Sequence, residues 1–440
     1  MHLVWENTIK NLVLLWTGSF KGLDEGTGSY HLSPSVWDAI GLATASSGST
    51  IPSAYGARPP NIATDHTSTT ADSWSFWTLY IGPVLLRRRF TDVKYYDHFI
   101  ALVKLLHTCL GFSITTDCIS ELREGFTQWV LKFEELYYQY NPQRISACPV
   151  TIHALLHIAD SIISCGPAWA YWAFPMERYC GLIRPGIKSR KHPFASLDRF
   201  VVECAQMVQI RLVYQLDSDP GFSLSKPRRP PSSGFRCPQY ETTALLPPSR
   251  QNIRPDATIL RKIEKCIATR YEMAGNIKAV KQCLAKAEIS EWAKLRVDDG
   301  DTICATAFVS AEQDRRDATY ARYEVLVDIH ANRPRAKPVF KPETRYGRIQ
   351  HIYSIEMPRC AALGIHTPET LFLAGITPCI VLASHSKLDI HYYREESKTE
   401  QFIDIDCVQC LVGRIKDHRG TWAIIDRSGA LSRALYIPDA

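Results

Sequence analysis

At 440 residues, with 45% hydrophobic and 22% charged side chains, the chain is long enough for two or three cored domains and too apolar to be disordered. Lysine and arginine outnumber aspartate and glutamate by 51 to 45, a mild excess that permits a nucleic-acid partner without requiring one. No apolar run reaches about 18 residues, the N-terminus lacks the order of a secretory signal, and the 14 cysteines show no disulfide framework, so free thiols and no membrane span are expected.

Residues 1–23 read as an amphipathic helix, with Leu3, Ile9, Leu12, Val13 and Trp16 facing a core and Gly18 stopping it. Residues 44–70, rich in Ser, Thr, Ala and Pro, read as a loop. Residues 71–86 are aromatic and apolar. They run into Arg87-Arg88-Arg89, which is either a phosphate contact or a solvated helix end. Helical periodicity returns at 97–110 and 119–140, and the second stretch stops at Asn141-Pro142. Residues 1–150 are therefore expected to form a helical region.

Residues 151–190 hold the densest pattern, TIHALLHIADSIISCGPAWAYWAFPMERYCGLIRPGIKSR. As a helix, Ile152, Leu155, Leu156, Ala159 and Ile163 form an apolar stripe, with His153, His157 and Asp160 on the neighbouring face. Two imidazoles one turn apart can share a metal ion, or can be no more than a polar helix edge. Gly166-Pro167 ends this helix, and the rings at Trp169, Tyr171, Trp172 and Phe174 suit a strand or buried loop over 168–175. Pro175 marks the next helix start and puts Glu177 in its first turn. Arg178, Arg184, Lys188, Arg190 and Lys191 follow, either a phosphate grip or a solvated face.

Beyond this motif region (151–222), residues 223–255 are rich in Pro and Arg and read as a basic linker. Residues 256–294 read as one exposed helix, within a segment taken as 256–296. From there the pattern turns to period two. Short strands are expected at 303–309, 320–328, 346–357, 377–382, 390–393, 402–411 and 422–426, making 297–440 a small barrel or sandwich. Cys407 and Cys410 in an expected strand read as packing, and His385, Asp389 and His391 as a polar turn. The fold class is α+β multidomain: a mainly helical N-terminal half and a β-rich C-terminus.

Taken together, four pieces carry a resemblance: His153-x-x-x-His157, Cys165-Gly-Pro-x-Trp169, the run Phe-Pro-Met-Glu-Arg-Tyr-Cys-Gly ending at Gly181, and Lys188-Ser-Arg-Lys-His-Pro193. They resemble the C-terminal half of CACTA (En/Spm-like) DNA transposases, most closely the forms found in mushroom-forming fungi. Upstream, Met1-His2-Leu3 with Asn7 is similar to that family's Asp-x-Met-His-Leu segment, and the run from Trp16 to Asp24 extends the likeness. It covers roughly residues 1–216.

The resemblance implies an RNase H-like DDE enzyme, in which three carboxylates hold two magnesium or manganese ions for phosphodiester chemistry. Residues 3–147 would then be a helical insertion and Glu177 the third carboxylate. His153 and His157 would be half of a structural zinc site, completed in related enzymes by an earlier Cys-x-x-Cys. Arg178, Arg184, Lys188, Arg190 and Lys191 would contact DNA. The sequence departs from this pattern in beginning at Met1, inside Asp-x-Met-His, without the two earlier Asp residues or a Cys-x-x-Cys ahead of His153. Magnesium or manganese is thus expected only if a complete triad is supplied. The expectation is a transposon-derived nuclear protein that binds DNA, itself or a full-length transposase, touches no membrane and does not cleave unaided. The alternative is a non-catalytic nuclear DNA- or chromatin-associated scaffold.

Overall fold

A computed structural model describes residues 2–65, 69–216, 234–273, 276–297, 300–309, 316–328, 330 and 339–427. The fold mixes helix and sheet, with a helical N-terminal half and a curled antiparallel sheet in the C-terminal half.

The chain enters as a π-helix at His2–Thr8 and continues as an α-helix at Ile9–Trp16, and Gly18, at φ +68°, stops it. The next helix, Pro34–Ser47, runs four residues into the stretch read as loop. It does so because Ile40, Gly41 and Thr44 face the core, and the Thr44 hydroxyl donates back to the Ile40 carbonyl at 2.9 Å. Helices Val93–Cys109 and Thr116–Phe133 are capped by Asp92 and Thr115 and pack on one another. Trp16, Tyr30, Trp77, Tyr95, Phe99, Phe126 and Tyr137 fill the space between helices. His98 is buried among them, stacked 4.4 Å from Trp129. Its Nε2–H donates to the Trp129 carbonyl at 3.1 Å, and the Trp129 indole N–H donates to the His98 carbonyl at 3.0 Å.

Among the described residues the sheet has eleven strands. They are β1 (Thr243–Arg250), β2 (Glu288–Val297), β3 (Thr302–Cys304), β4 (Tyr320–Asp328), β5 (Phe340–Met357) and β6 (Glu369–Ser384). The rest are β7 (Ile390–Glu396), β8 (Gln401–Asp404), β9 (Val408–Leu411), β10 (Gly413–Lys416) and β11 (Trp422–Ile425). The main path is β1-β2-β5-β6-β7-β11-β10, with β3 on β2, β8 on β6, and β4 joining β5 to β9. On one edge β5 serves two partners, β4 along its first half and β2 along its last, and the sheet curls around this strand. Gly347 sits where β5 and β6 come closest; a Cβ there would lie 2.5 Å from the Ile376 side chain. Tyr240, Leu295, Tyr323, Ile349, Phe372 and Leu411 fill the inner face. The outer face of β5 and β6 is covered by helices Ala257–Arg270 and Ile277–Leu284, through Ile263, Ile267, Val280 and Leu284.

Two expectations are corrected here. The single helix over 256–294 is two helices followed by β2, in which Ile289, Glu291, Ala293, Leu295 and Val297 alternate inward. That period of two settles the strand: Glu288, Lys294 and Arg296 fall on its less buried face, and of its charged residues Glu291 alone is buried. Within the stretch read as linker, β1 pairs with β2 and Ala244, Leu245 and Leu246 are buried. The basic run 226–233 lies outside the described residues.

The two halves share one core. Ile390, Tyr392, Ile415, Ala423 and Ile425 of the sheet belong to the same buried cluster as the helices. The Tyr55 hydroxyl is shared between the carbonyls of Leu411 and Ile425, 3.0 Å from each. Arg414 on β10 exchanges hydrogen bonds with Thr50 at 3.1 and 2.6 Å, and Arg316 donates to the Ile51 carbonyl at 2.6 Å. The arginine triplet meets this seam too, with Arg87 lying 4.3 Å over the Tyr392 ring.

Burial pushes the His98 imidazole down from 6.5 to about 4, so the folded chain holds it neutral. As pH falls the unfolded chain takes up that proton first, so stability is full above about 6.5 and declines between 6.5 and about 4. The loss across that window is expected to be about 3 kcal/mol, and urea unfolding of His98→Asn should lack that part of the slope. At the seam, Tyr55→Phe removes a buried donor from two carbonyls and should cost about 1–2 kcal/mol in the same assay.

Candidate functional site

Beyond Gly166 the described residues of the motif region form an arm of three α-helices, Ala168–Tyr171, Phe174–Ile183 and Pro193–Tyr214. Pro167, Pro175 and Pro193 each stand at a helix start, where a missing N–H costs nothing. The expectation of a strand or buried loop over 168–175 is corrected: the prolines divide it into helical turns, and Trp169 and Tyr171 are exposed. From residue 163 to 216, Gly186 alone is buried. A Cβ on that glycine would lie 2.5 Å from the Phe200 ring, so the loop can cross the long helix closely only with glycine there. The half-covered face of the long helix carries Leu197, Phe200, Val201, Cys204 and Met207, while Phe194, Leu212 and Val213 are exposed. Such a stripe is normally buried against a second layer.

His153 ends the short helix Val150–Ala154, and a 3-10 turn at Leu155–His157 carries His157 over it. Their Nε2 atoms lie 3.3 Å apart. That matches two corners of a tetrahedral zinc ion, for which nitrogens about 2.0–2.1 Å from the metal stand about 3.3 Å from each other. Both imidazoles are exposed, and Asp160 is held away by Arg123 at 2.7 Å. Among the described residues no group of three His, Cys, Asp or Glu side chains converges on one point. The pair therefore fits half a zinc site and no more. Cys407 closes a 3-10 turn at Ile405–Cys407 that breaks the expected strand, and Cys410 lies on β9, where its thiol donates to Asp426 at 3.7 Å.

Glu177 stands in the first turn of Phe174–Ile183, where the helix dipole favours a carboxylate. Its side chain is half exposed, and His2 lies beside it, with Nε2 3.9 Å from Oε1. His2 also contacts Glu6 one turn along. The His2–Thr8 helix packs on Val150–Ala154, so the fold brings His2 beside the Glu-Arg helix across the whole helical block. Sequence spacing gave no sign of this contact.

Arg178, Arg184, Lys188, Arg190 and Lys191 are all exposed, and none forms an ion pair with a described residue. Arg199 is different, held by Glu203 at 2.8 Å. Elsewhere the structure links groups that the sequence left as a polar turn. Ser384 contacts His391 Nδ1 and Asp389 contacts Nε2, each at 2.8 Å, on the exposed hairpin between β6 and β7. His385 instead meets Tyr96 at 3.1 Å, across the seam. A groove of about 710 Å³ lies between helices Val93–Cys109 and Thr116–Phe133. Of its four lysines, Lys94, Lys132 and Lys387 are paired with Asp92, Glu135 and Asp97, and Lys104 forms no ion pair with a described residue.

Among the described residues no single helix is long and apolar enough to cross a membrane. The pair Val150–Cys165 and Ala168–Gly186 has the composition jointly but is bent by 84°. Comparison with family models, curated proteins and solved structures finds no match.

Two ligands bind zinc loosely, so zinc added to the purified chain should be lost on desalting, and His153→Ala should abolish the binding seen by titration. Zinc retained at one ion per chain would mean that further ligands complete the site.

Proposed function

We propose that the chain is a transposon-derived protein, the C-terminal half of a DDE-type cut-and-paste DNA transposase of the CACTA class. It binds DNA and does not cleave it unaided. The observation that carries this reading is the contact of His2 with Glu177 at 3.9 Å. Two segments that resemble the family's acidic motifs, separated by the whole helical block, meet at one surface. In the family's pattern a carboxylate stands two positions ahead of that Met-His-Leu segment, whose His2 contacts Glu177. In this reading the block is the insertion and the arm is the last part of an RNase H-like core. The half-covered stripe at Leu197, Phe200, Val201 and Cys204 is the face that a sheet would cover.

The chemistry follows from the charges. Glu177 alone cannot position two metal ions, which need several carboxylate oxygens between them. The unpaired basic run beside it can still neutralise phosphates. His153 and His157 supply two zinc ligands toward a site completed by another chain, such as a full-length transposase. DNA binding places the protein's work in the nucleus.

A second reading, a nuclear DNA- or chromatin-associated scaffold, is favoured by the sheet. Leu326 and Phe340, on β4 and β5, and Ile380 and Leu382 on β6 are exposed apolar residues. In this reading the sheet, not the arm, meets the partner.

Fluorescence anisotropy against labelled DNA separates the two. Replacing Lys188 and Arg190 together by Gln should weaken binding and make the salt dependence shallower by about two in log–log slope. Unchanged binding would move the contact to the sheet. With magnesium or manganese, supercoiled plasmid should stay intact; nicking that Glu177→Gln abolishes would restore a catalytic assignment.

A further inference from the structure

The basic run explains an attraction to phosphate, but it leaves the rings of the arm unexplained. Eight aromatic side chains are exposed among the described residues, and five of them (Trp169, Tyr171, Tyr179, Phe194 and Tyr214) lie on the arm. These are large apolar surfaces held in water, which folding alone does not favour. They also interleave with charge. Tyr179 follows Arg178 directly, and Phe194, 79% exposed, stands two residues beyond His192 at the end of the Lys188-Ser189-Arg190-Lys191 run. Over residues 168–216 there are seven basic and three acidic side chains, a net +4 out of the whole chain's +6. An arm so charged calls for an anionic partner, and the rings call for one that offers flat faces.

We propose that the arm binds single-stranded DNA, with Tyr179 and Phe194 as stacking platforms and the basic run as the phosphate track. This deepens the DNA-binding reading and rests on it. The choice of strand follows from geometry. In a duplex each base face is covered by its neighbours, so a protein ring has only edges and backbone to meet. In a single strand every base has a free π-face, and stacking on an aromatic side chain is tolerant of sequence. Phosphates spaced along a flexible strand can be met by side chains on a loop, since the strand adapts to them. The exposed arginines add their own stacking on bases. The recognition is therefore of strandedness, without a sequence code.

The test uses the full chain, a labelled oligothymidine of about 16 nucleotides, and a labelled duplex of the same length. Single-strand affinity should exceed duplex affinity about tenfold at moderate salt. Phe194→Ala and Tyr179→Ala should each lower single-strand affinity about tenfold and change duplex affinity less than twofold. Phe194→Trp should retain it. Both positions are exposed, so far-UV circular dichroism should show every variant folded. Equal binding of the two DNAs, unmoved by the ring variants, would overturn this inference and leave the DNA-binding reading intact. Binding of neither DNA would overturn both. Self-association that Phe194→Ala abolishes, with no DNA bound, would assign the rings to a protein interface and overturn it as well.

Discussion

The guanidinium of Arg414 sits at the join on which the rest of the structure depends. It is buried on β10, donates to Asp317 at 2.6 Å and to the Tyr393 hydroxyl at 2.9 Å, and lies 3.5 Å over the Tyr320 ring. A buried cation costs several kcal/mol in lost hydration, which only close partners offset. Here the partners come from a loop and from β4 and β7, so the charge holds those elements in one arrangement. The backbone of the same residue is bonded to Thr50, at the end of a helix, and thereby docks the sheet on the helical block. The Tyr55 hydroxyl, placed between two sheet carbonyls, makes the same join from the helical side.

Against that rigid body the arm is a contrast in burial. The block and the sheet each bury their large rings, whereas the arm leaves most of its rings in water and carries most of the net charge. A layer of helices whose stripe the described residues only half cover is a surface, and what it meets is decided by its chemistry. Exposed cations such as Lys188 and Arg190, which form no ion pair with a described residue, keep their hydration until a polyanion releases it. Exposed rings keep their faces free for another flat group. The arm's two proposed roles draw on different side chains: the half-covered stripe for the remnant of a recombinase core, the basic run and the exposed rings for the contact with DNA.

Much of the fold was legible because local patterns agreed with burial. The alternation over 320–328 and 390–393 became β4 and most of β7, and the helical periods at 97–110 and 119–140 became the two long helices. Failures came where one local signal met two environments. Charged residues at 288, 291, 294 and 296 suggested a continuing helix, yet Glu291 is buried in the sheet, bonded to Arg250 at 2.9 Å and His351 at 2.7 Å. Pro247 and Pro248 marked a linker, yet they lie inside β1, where the register breaks between Leu246 and Ser249. At the candidate site, the spacing of His153 and His157 already implied imidazoles within reach of each other. The meeting of His2 with Glu177 had no local trace.

The sequence by itself determined the division into helical and β-rich halves, the helix stops at Gly18 and Gly166, and the motif order that carries the resemblance. Each depends on residues within a few turns or one strand, where periodicity and backbone preference act directly. Tertiary structure alone decided that the halves share one core, that Arg87 and His385 belong to their seam, and that Trp169 and Tyr171 of the arm's aromatic run face water. Burial is a property of what lies opposite a side chain, and a residue far away in the chain is invisible to any local pattern. An apolar stripe says only that a partner layer suits it; whether this chain supplies that layer is settled by packing.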